Sequence, residues 1–182
     1  VDETLEVGRD GQVRIDAPDM SALQAANSET GILQILPAGL AVSDWTQAFG
    51  KLPLAFDWAG IDIALISAHK IGGPKGIGAL ILRRGLDLEA RIRGGGQEMG
   101  RRSGTENIIG IAGFGAAATA AAQDLDRGIW DHVLKLRNIL EKTLEEFAKV
   151  TTLVGTAEPR LPTTTCLVPP GWQGEPQEMQ LA

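Results

Sequence analysis

This chain of 182 residues has one cysteine, Cys166, and two histidines, His69 and His132. A single thiol excludes an internal disulfide and any multi-cysteine zinc site. The two histidines are far apart and lack cysteine partners, so no metal site is expected. Basic excess is also missing: 17 Lys and Arg stand against 23 Asp and Glu, a net charge of −6. That argues against nucleic acid as a partner, which wants a basic face. No apolar run reaches the ~18 residues of a membrane span and no signal peptide is visible, so no membrane partner and a reducing, cytoplasmic setting are expected. The chain opens at Val1 and closes at Gln180-Leu181-Ala182. Both ends read as cut from something longer.

What is present suits a folded domain. Hydrophobic residues make up 43% and charged residues only 22%, which favours a packed core over disorder. Thr4 to Val7 and Gln12 to Ile15 flank a Gly8-Arg9-Asp10-Gly11 turn and predict a short extended pair. Asp19 or Ser21 is a candidate cap for a short helix. Leu33 to Leu40 is apolar but broken by Pro37 and Gly39, so no helix is expected there. Leu40-Ala41-Val42 reads as a short buried strand ending at Ser43-Asp44. Ile61 to Ser67 reads as a second, and Gly78 to Leu82 as a third. Arg91 to Thr105 is a glycine-rich loop. Asn107 to Asp124 is an alanine-rich helix in which Gly110, Gly113 and Gly115 permit close packing. Gly128 to Val150 carries Ile129, Val133, Leu136, Leu140, Leu144 and Phe147 on one face, a stripe expected to be core. Pro159 to Pro176 reads as loop with one extended piece, Thr164 to Val168.

The chemistry concentrates at Ser67-Ala68-His69-Lys70, followed by a Gly72-Gly73-Pro74-Lys75-Gly76 turn. Polar groups at the mouth of a buried strand are costly unless something there needs them. With its stem held by apolar neighbours, Lys70 is expected to lose some preference for the charged form. A lysine that can shed its proton attacks carbonyls and is the usual Schiff-base partner of pyridoxal phosphate. Ser67 and His69 can donate hydrogen bonds to a phosphate. The competing reading is a strand end with a solvated lysine and a satisfied histidine. Asp44, at the carboxyl end of the first buried strand, is where an open α/β sheet puts ligand groups. A carboxylate there can keep a pyridine nitrogen protonated, and Gln47 can reach a ring oxygen. Taken alone, Asp44 reads more readily as a helix cap.

The ordered series strengthens this reading. Asn27-Ser28-Glu29-Thr30-Gly31 comes first, then Asp44-Trp45-Thr46-Gln47-Ala48-Phe49-Gly50-Lys51, then Ser67-Ala68-His69-Lys70 with Gly73-Pro74-Lys75-Gly76. Gly95-Gly96-Gln97-Glu98 and Arg102-Ser103-Gly104-Thr105-Glu106-Asn107 follow. Together they resemble the NifS/IscS-like cysteine desulfurases of the class V aminotransferase family, over nearly the whole chain. The resemblance implies an α/β, fold-type-I pyridoxal-phosphate transferase large domain: a mostly parallel sheet with helices on both faces, plus the start of the small domain. Residues 1–125 would belong to the large domain, and 126–182 would be a linking helix and the beginning of the small one. The implied activity is removal of sulfur from L-cysteine, giving L-alanine and an enzyme persulfide, with a sulfur-acceptor protein, a role in iron–sulfur cluster assembly, and a homodimer. Carried over by motif, Lys70 is the Schiff-base lysine and Asp44 the partner of the ring nitrogen. Gln47 bonds the ring oxygen, Ser67 and His69 hold the phosphate, and Asn27 belongs to the cofactor site. Thr105 would reach the phosphate of the neighbouring subunit.

The chain departs from that pattern in several places. Asn27-Ser28-Glu29 stands where the family usually has Asn-Asn-Glu, so a ring-oxygen contact passes to Ser28 or is lost. Only 12 residues separate Gly31 from Asp44, too few for the helix the family carries there. The amino-terminal phosphate-binding turn would precede Val1, and the loop with the sulfur-accepting cysteine would follow Ala182. Cys166 matches a small-domain strand upstream of that loop and is expected to be a buried filler. Arg101 and Arg102 are expected to serve a dimer interface through an ion pair with Glu98, and His132 to be solvated. The rival readings are another class V enzyme, such as a selenocysteine lyase or an aminotransferase, and a truncated, non-catalytic dimerisation module.

Overall fold

Four strands form the frame, in the order β1 (Ala22–Gln24), β2 (Leu40–Asp44), β3 (Ile61–Ser67) and β4 (Gly78–Leu82). The first three are parallel and β4 returns antiparallel to β3. The structure is a computed structural model describing residues 3–148 and 150–171. Leu40, Ile61 and Ala64 of the inner strands are buried with Leu23, Ala25, Ala26, Trp45, Ala48 and Leu161. Near-continuous apolar runs are what a buried parallel sheet requires. Ser43 is the polar exception on β2. It is fully buried and donates its hydroxyl to the Leu23 carbonyl at 2.9 Å, so the desolvated group keeps a partner.

The connection from β1 to β2 contains no helix. A parallel crossover is usually helical because a helix satisfies its own backbone. Here two glutamines do that work. Gln34 donates through Nε2 to the Gly11 carbonyl at 2.7 Å, and its Oε1 accepts from the Val13 amide at 2.9 Å. Gln12 reciprocates, donating to the Leu33 carbonyl at 2.8 Å and accepting from the Ile35 amide at 3.2 Å. Each side-chain amide acts as a rung between the amino-terminal segment and the crossover. Antiparallel bridges pair Ala26 with Leu33 and Ile32 with Arg160.

Between β2 and β3 lies a single helical turn, α1 (Phe56–Ala59), stopped by Gly60 in the left-handed region at φ 67°. Phe56 meets Trp45 edge to face, with ring centroids 5.9 Å apart. After β4 and the glycine-rich loop come α2 (Ile108–Asp126) and α3 (Ile129–Phe147). Asn107 caps α2 by accepting from the Gly110 amide at 3.0 Å. Small residues bring α2 close to the rest. A Cβ at Gly113 would fall 2.6 Å from Pro74, one at Gly73 would fall 3.2 Å from the Ala117 Cβ, and one at Gly50 would fall 3.0 Å from the Ala121 Cβ. Trp130 of α3 donates its indole N–H to the Gly50 carbonyl at 2.7 Å. A two-stranded antiparallel ribbon, β5 (Thr152–Leu153) with β6 (Leu167–Val168), follows α3.

Several expectations need correction. Asp19 and Ser21 cap no α-helix: Pro18–Met20 is a single 3₁₀ turn, and the residues just after it form β1. The pair flanking Gly8 to Gly11 reduces to one bridge, Val7 to Val13. Of the extended piece Thr164 to Val168, only Leu167–Val168 is strand, and the part of the loop from 172 to 176 lies outside the described residues. The apolar stripe of α3 is not core: Ile129, Leu136 and Leu140 are about half exposed and Phe147 is 84% exposed. Helical periodicity identifies an apolar face without saying what covers it, and the described residues leave this one largely open. α2 is long and apolar enough, by length and composition alone, to cross a membrane. The search for long apolar runs missed this because alanine and glycine carry its hydropathy, and small residues are also what close packing on Pro74 and Gly50 needs. Cys166 is half-buried rather than buried.

A buried ion cluster joins α3 to the segment before β6. Arg160, its side chain 3% exposed, forms a two-pronged pair with Glu141 at 2.8 and 2.9 Å. Thr165 donates to the same carboxylate at 2.9 Å. The hydrogen bond from Arg160 leads the causes that hold the Glu141 carboxyl below its usual range. A carboxylate with a lowered folded pKa stabilises fully above its unfolded value, and that contribution disappears as pH falls through the folded value.

Two outcomes follow. Gln34→Ala strands the Gly11 carbonyl and the Val13 amide and should cost about 2–6 kcal/mol in denaturant unfolding, from roughly 1–3 kcal/mol per orphaned group; a loss below ~0.5 kcal/mol would refute the rung. Glu141→Gln should lower stability at pH 7 by about 3 kcal/mol, as expected when a buried pair loses one charge. The gap to wild type should narrow as pH drops below about 4.5, the ordinary glutamate value; a gap that does not change with pH would contradict the assignment.

Candidate active site

Asp44 is the last residue of β2, in register with Leu65 of the parallel neighbour β3. The strand alternation buries Ser43 and turns Asp44 out to solvent. Asp44 Oδ1 accepts from the Thr46 amide at 2.8 Å, a side-chain turn that bends the chain out of the sheet. The Trp45 amide donates back to the Leu65 carbonyl at 2.8 Å, and the Ala48 and Phe49 amides both donate to the Trp45 carbonyl. Trp45 goes inward, 2% exposed. Thr46 and Gln47 stay at the rim of a cavity of about 270 Å³ lined by Gln24, Ala26, Asn27, Ser28, Asp44, Thr46 and Gln47.

Asn27 organises the opposite wall. Its Oδ1 accepts from the Glu29 and Thr30 amides, both at 2.9 Å, while its own amide donates to the Ile32 carbonyl. Gly31 closes this loop at φ 74°, its amide donating to the Asn27 carbonyl at 3.0 Å. The Ser28 hydroxyl lies 3.2 Å from the Glu29 carboxylate, which draws it toward its neighbour.

Ser67 ends β3, on the same edge of the sheet as Asp44. A 3₁₀ turn, Ala68–Ile71, then carries His69 and Lys70 and is closed by Gly72 at φ 81°. The Ser67 hydroxyl and His69 Nδ1 are 2.8 Å apart, so one serves as donor to the other. His69 and Lys70 are exposed. The expectation that apolar neighbours enclose Lys70 is therefore not met, because the turn lifts it off the strand. The half-buried lysine is Lys51. Its Nζ donates to the Gln47 carbonyl at 2.8 Å. Burial pushes its pKa down, and the charge of Lys70 adds to that. Lys70 thus lies within electrostatic reach of the turn that begins at Asp44.

The cavity gathers Asn27, Asp44 and Gln47. Ser67, His69 and Lys70 stand at the same sheet edge on the neighbouring strand, outside the cavity lining. Thr105 does not line the cavity and is exposed in the loop leading to α2. That loop holds Arg102 against Glu98 at 3.3 Å and Arg101 against Asp87 at 3.1 Å. Glu98 and Met99 take left-handed backbone angles, φ 51° and 57°, a strain of about 1–2 kcal/mol per residue for non-glycine side chains. His132 is exposed on α3. Sequence reasoning gave no role to Thr46, Gln24 or Lys51. The available signal for Lys51 was its place four residues after Gln47 on one short turn.

The molecule can be compared with known proteins on this basis. Residues 15–181 match the family described as Aminotransferase class-V. The cysteine desulfurase of Frankia sp. (strain EuIK1) is 41% identical, over 91% of this chain and 44% of that protein. That of Klebsiella pneumoniae is 42% identical, over 78% and 38%. Among solved structures, the NifS-like protein from Rickettsia africae ESF-5 superimposes with a TM-score of 0.86 at 31% identity, over 96% of this chain and 54% of that one. The chain spans less than half the length of these two curated relatives. Its mixed sheet and helices share the α/β architecture of the NifS-like structure. With a match over almost its entire length, the chain belongs to the aminotransferase class-V family.

Proposed function

We propose that this chain carries the cofactor-binding part of a pyridoxal-phosphate-dependent cysteine desulfurase, which takes sulfur from L-cysteine and leaves L-alanine and an enzyme persulfide. The observation that carries this reading is that two adjacent parallel strands end side by side: Asp44 closes β2, while Ser67, His69 and Lys70 follow β3 at the same end of the sheet. The curated relatives named above support the reaction class.

The donor set fits the cofactor. Asp44 is an exposed carboxylate with Oδ1 engaged by its own turn, which fixes its direction while the second oxygen stays available to a ring N–H. The paired Ser67 and His69 offer O–H and N–H groups for a phosphate. Gln47 supplies an amide for a ring oxygen and Asn27 a second one. When bound, pyridoxal phosphate supplies an aldehyde for the Lys70 amine and a ring that withdraws electrons. The Lys51 ammonium is held by the Gln47 carbonyl, and burial, then the charge of Lys70, push its own pKa down.

In this reading residues 1–125 belong to the large domain and 126–182 begin the small one. Thr105, exposed and outside the cavity lining, serves a neighbouring subunit's phosphate in a homodimer. A sulfur-acceptor protein takes the product, in a reducing cytoplasm that supplies iron–sulfur assembly. Cys166 takes no part: its carbonyl accepts from the Val154 amide at 2.8 Å beside the ion cluster, away from the cavity.

The test uses the natural protein with saturating pyridoxal phosphate. Borohydride should trap an adduct that maps to Lys70 and vanishes in Lys70→Ala; mapping to Lys51 or Lys75 would overturn the assignment. Asp44→Asn should retain cofactor and lose about 100-fold or more in alanine production, the scale of removing one electrostatic contact to the reacting group. Cys166→Ser should leave turnover unchanged. Loss of turnover there would give the chain's only thiol a role denied here.

A further inference from the structure

The ion cluster between α3 and the segment before β6 is costly to assemble, because two charges leave water. Apolar packing could fasten a helix with less desolvation. Arg160 Nη1 and Nη2 donate to Glu141 Oε1 and Oε2, Thr165 donates to the same Oε1, and Arg137 Nη1 donates to the Leu161 carbonyl at 2.7 Å. Side-chain direction and backbone position are thereby fixed together over residues 160–165.

The backbone of this segment clasps the Asn27 loop from outside. The Leu33 amide donates to the Pro159 carbonyl at 2.9 Å, and the Leu161 amide donates to the Gly31 carbonyl at 2.8 Å. Between these two bonds Ile32 and Arg160 form an antiparallel bridge. Leu161 is buried in the main core, 1% exposed. Thr164 presses on Gly31 so closely that a Cβ there would sit 2.6 Å away. The amide of the same Gly31 donates to the Asn27 carbonyl. Hydrogen bonds joined through the Arg160 and Gly31 backbone therefore lead from the Glu141 carboxylate to the wall of the cavity. The helix that could have braced this crossover is absent, so the clasp is its brace on this side.

We propose that Glu141 and Arg160 are positioning residues for the candidate active site, holding the Asn27 loop at the geometry in which its side chains meet the ligand. This rests on the reading of the cavity as a cofactor site. A positioning role demands a shell tight to about 0.5 Å, which a bidentate guanidinium–carboxylate pair supplies and a single ammonium does not.

Amide hydrogen exchange on the natural protein without cofactor tests the clasp. In Glu141→Gln and Arg160→Lys, protection of the Glu29, Thr30 and Gly31 amides should fall about ten-fold or more. The Trp45, Ala48 and Phe49 amides across the cavity should stay within about two-fold of wild type. Pyridoxal phosphate, titrated by absorbance, should bind about ten-fold more weakly. If Glu141→Gln does not fold, Thr165→Val, which removes one bond to the carboxylate, should show the same local pattern at smaller amplitude. Equal loss on both walls, or unchanged protection at 29–31, would overturn the proposal. Wild-type protein that fails to bind the cofactor would refute the functional reading alone, and the exchange pattern would still decide whether the clasp exists.

Discussion

The parallel register of β2 against β3 is the constraint on which the site depends. With Asp44 opposite Leu65, Ser43 points into the core and Asp44 out of it. A slip of one residue would exchange the two, turning a carboxylate toward the buried position of Ser43. The strand end is held from both of its neighbours. The Trp45 amide bonds the Leu65 carbonyl, and the Ser43 hydroxyl bonds the Leu23 carbonyl of β1. Burial of Ser43 would be a liability without that bond; with it, the buried polar group favours one alignment. The reactive edge of the sheet is thus held by groups that themselves have no part in binding.

A second constraint follows from the missing crossover helix. A parallel connection must satisfy the backbone of the residues it carries past the sheet. Gln12 and Gln34 do so by reciprocal side-chain rungs, and residues 159–161 do so by a strand-like bridge. Both arrangements draw on parts of the chain distant in sequence. The Asn27 loop therefore depends on the amino-terminal segment, on the crossover and on α3 together, whereas a helix would have stabilised itself locally. The shortening of the chain between Gly31 and Asp44 moves the stability of this wall from local to long-range contacts.

Much of this was legible in the sequence, and the parts that were not have identifiable causes. β2, β3, β4, α2 and α3 announced themselves through apolar runs and helical periodicity, and glycine marked most of their limits. β1 did not, because Ala22-Leu23-Gln24 is too short to show a period and is a strand only through pairing with β2. The 3₁₀ turn at Ala68–Ile71 was hidden by the apolar run before it, and with it the solvent exposure of Lys70. The stripe on α3 had the right period but lacked a partner among the described residues, something no single-helix pattern records. At the site, residue types and strand-end positions pointed to Asp44, Ser67, His69 and Lys70. Which of them share a cavity is a matter of tertiary distance: Asn27 joins Asp44 and Gln47 because a loop from before the crossover folds back beside β2.

The charges divide by the work their surroundings let them do. Arg93 with Glu89 and Arg83 with Asp62 are exposed pairs, worth about 0–1 kcal/mol each and screened by salt. Glu141 with Arg160 is buried, and breaking it leaves a charge with no solvent to accept it. Lys51 lies between these cases: it is half-buried, bonded only to a carbonyl among the described residues, and within electrostatic reach of Lys70. Burial and the charge of Lys70 both weaken its hold on a proton, so its surroundings act on its chemistry more than on stability. The strongest ion pair thus fixes backbone geometry beside the Asn27 loop, whereas among the described residues the Lys51 ammonium is held by a carbonyl. A carbonyl dipole cancels no charge, so that cation can still attract an anionic group.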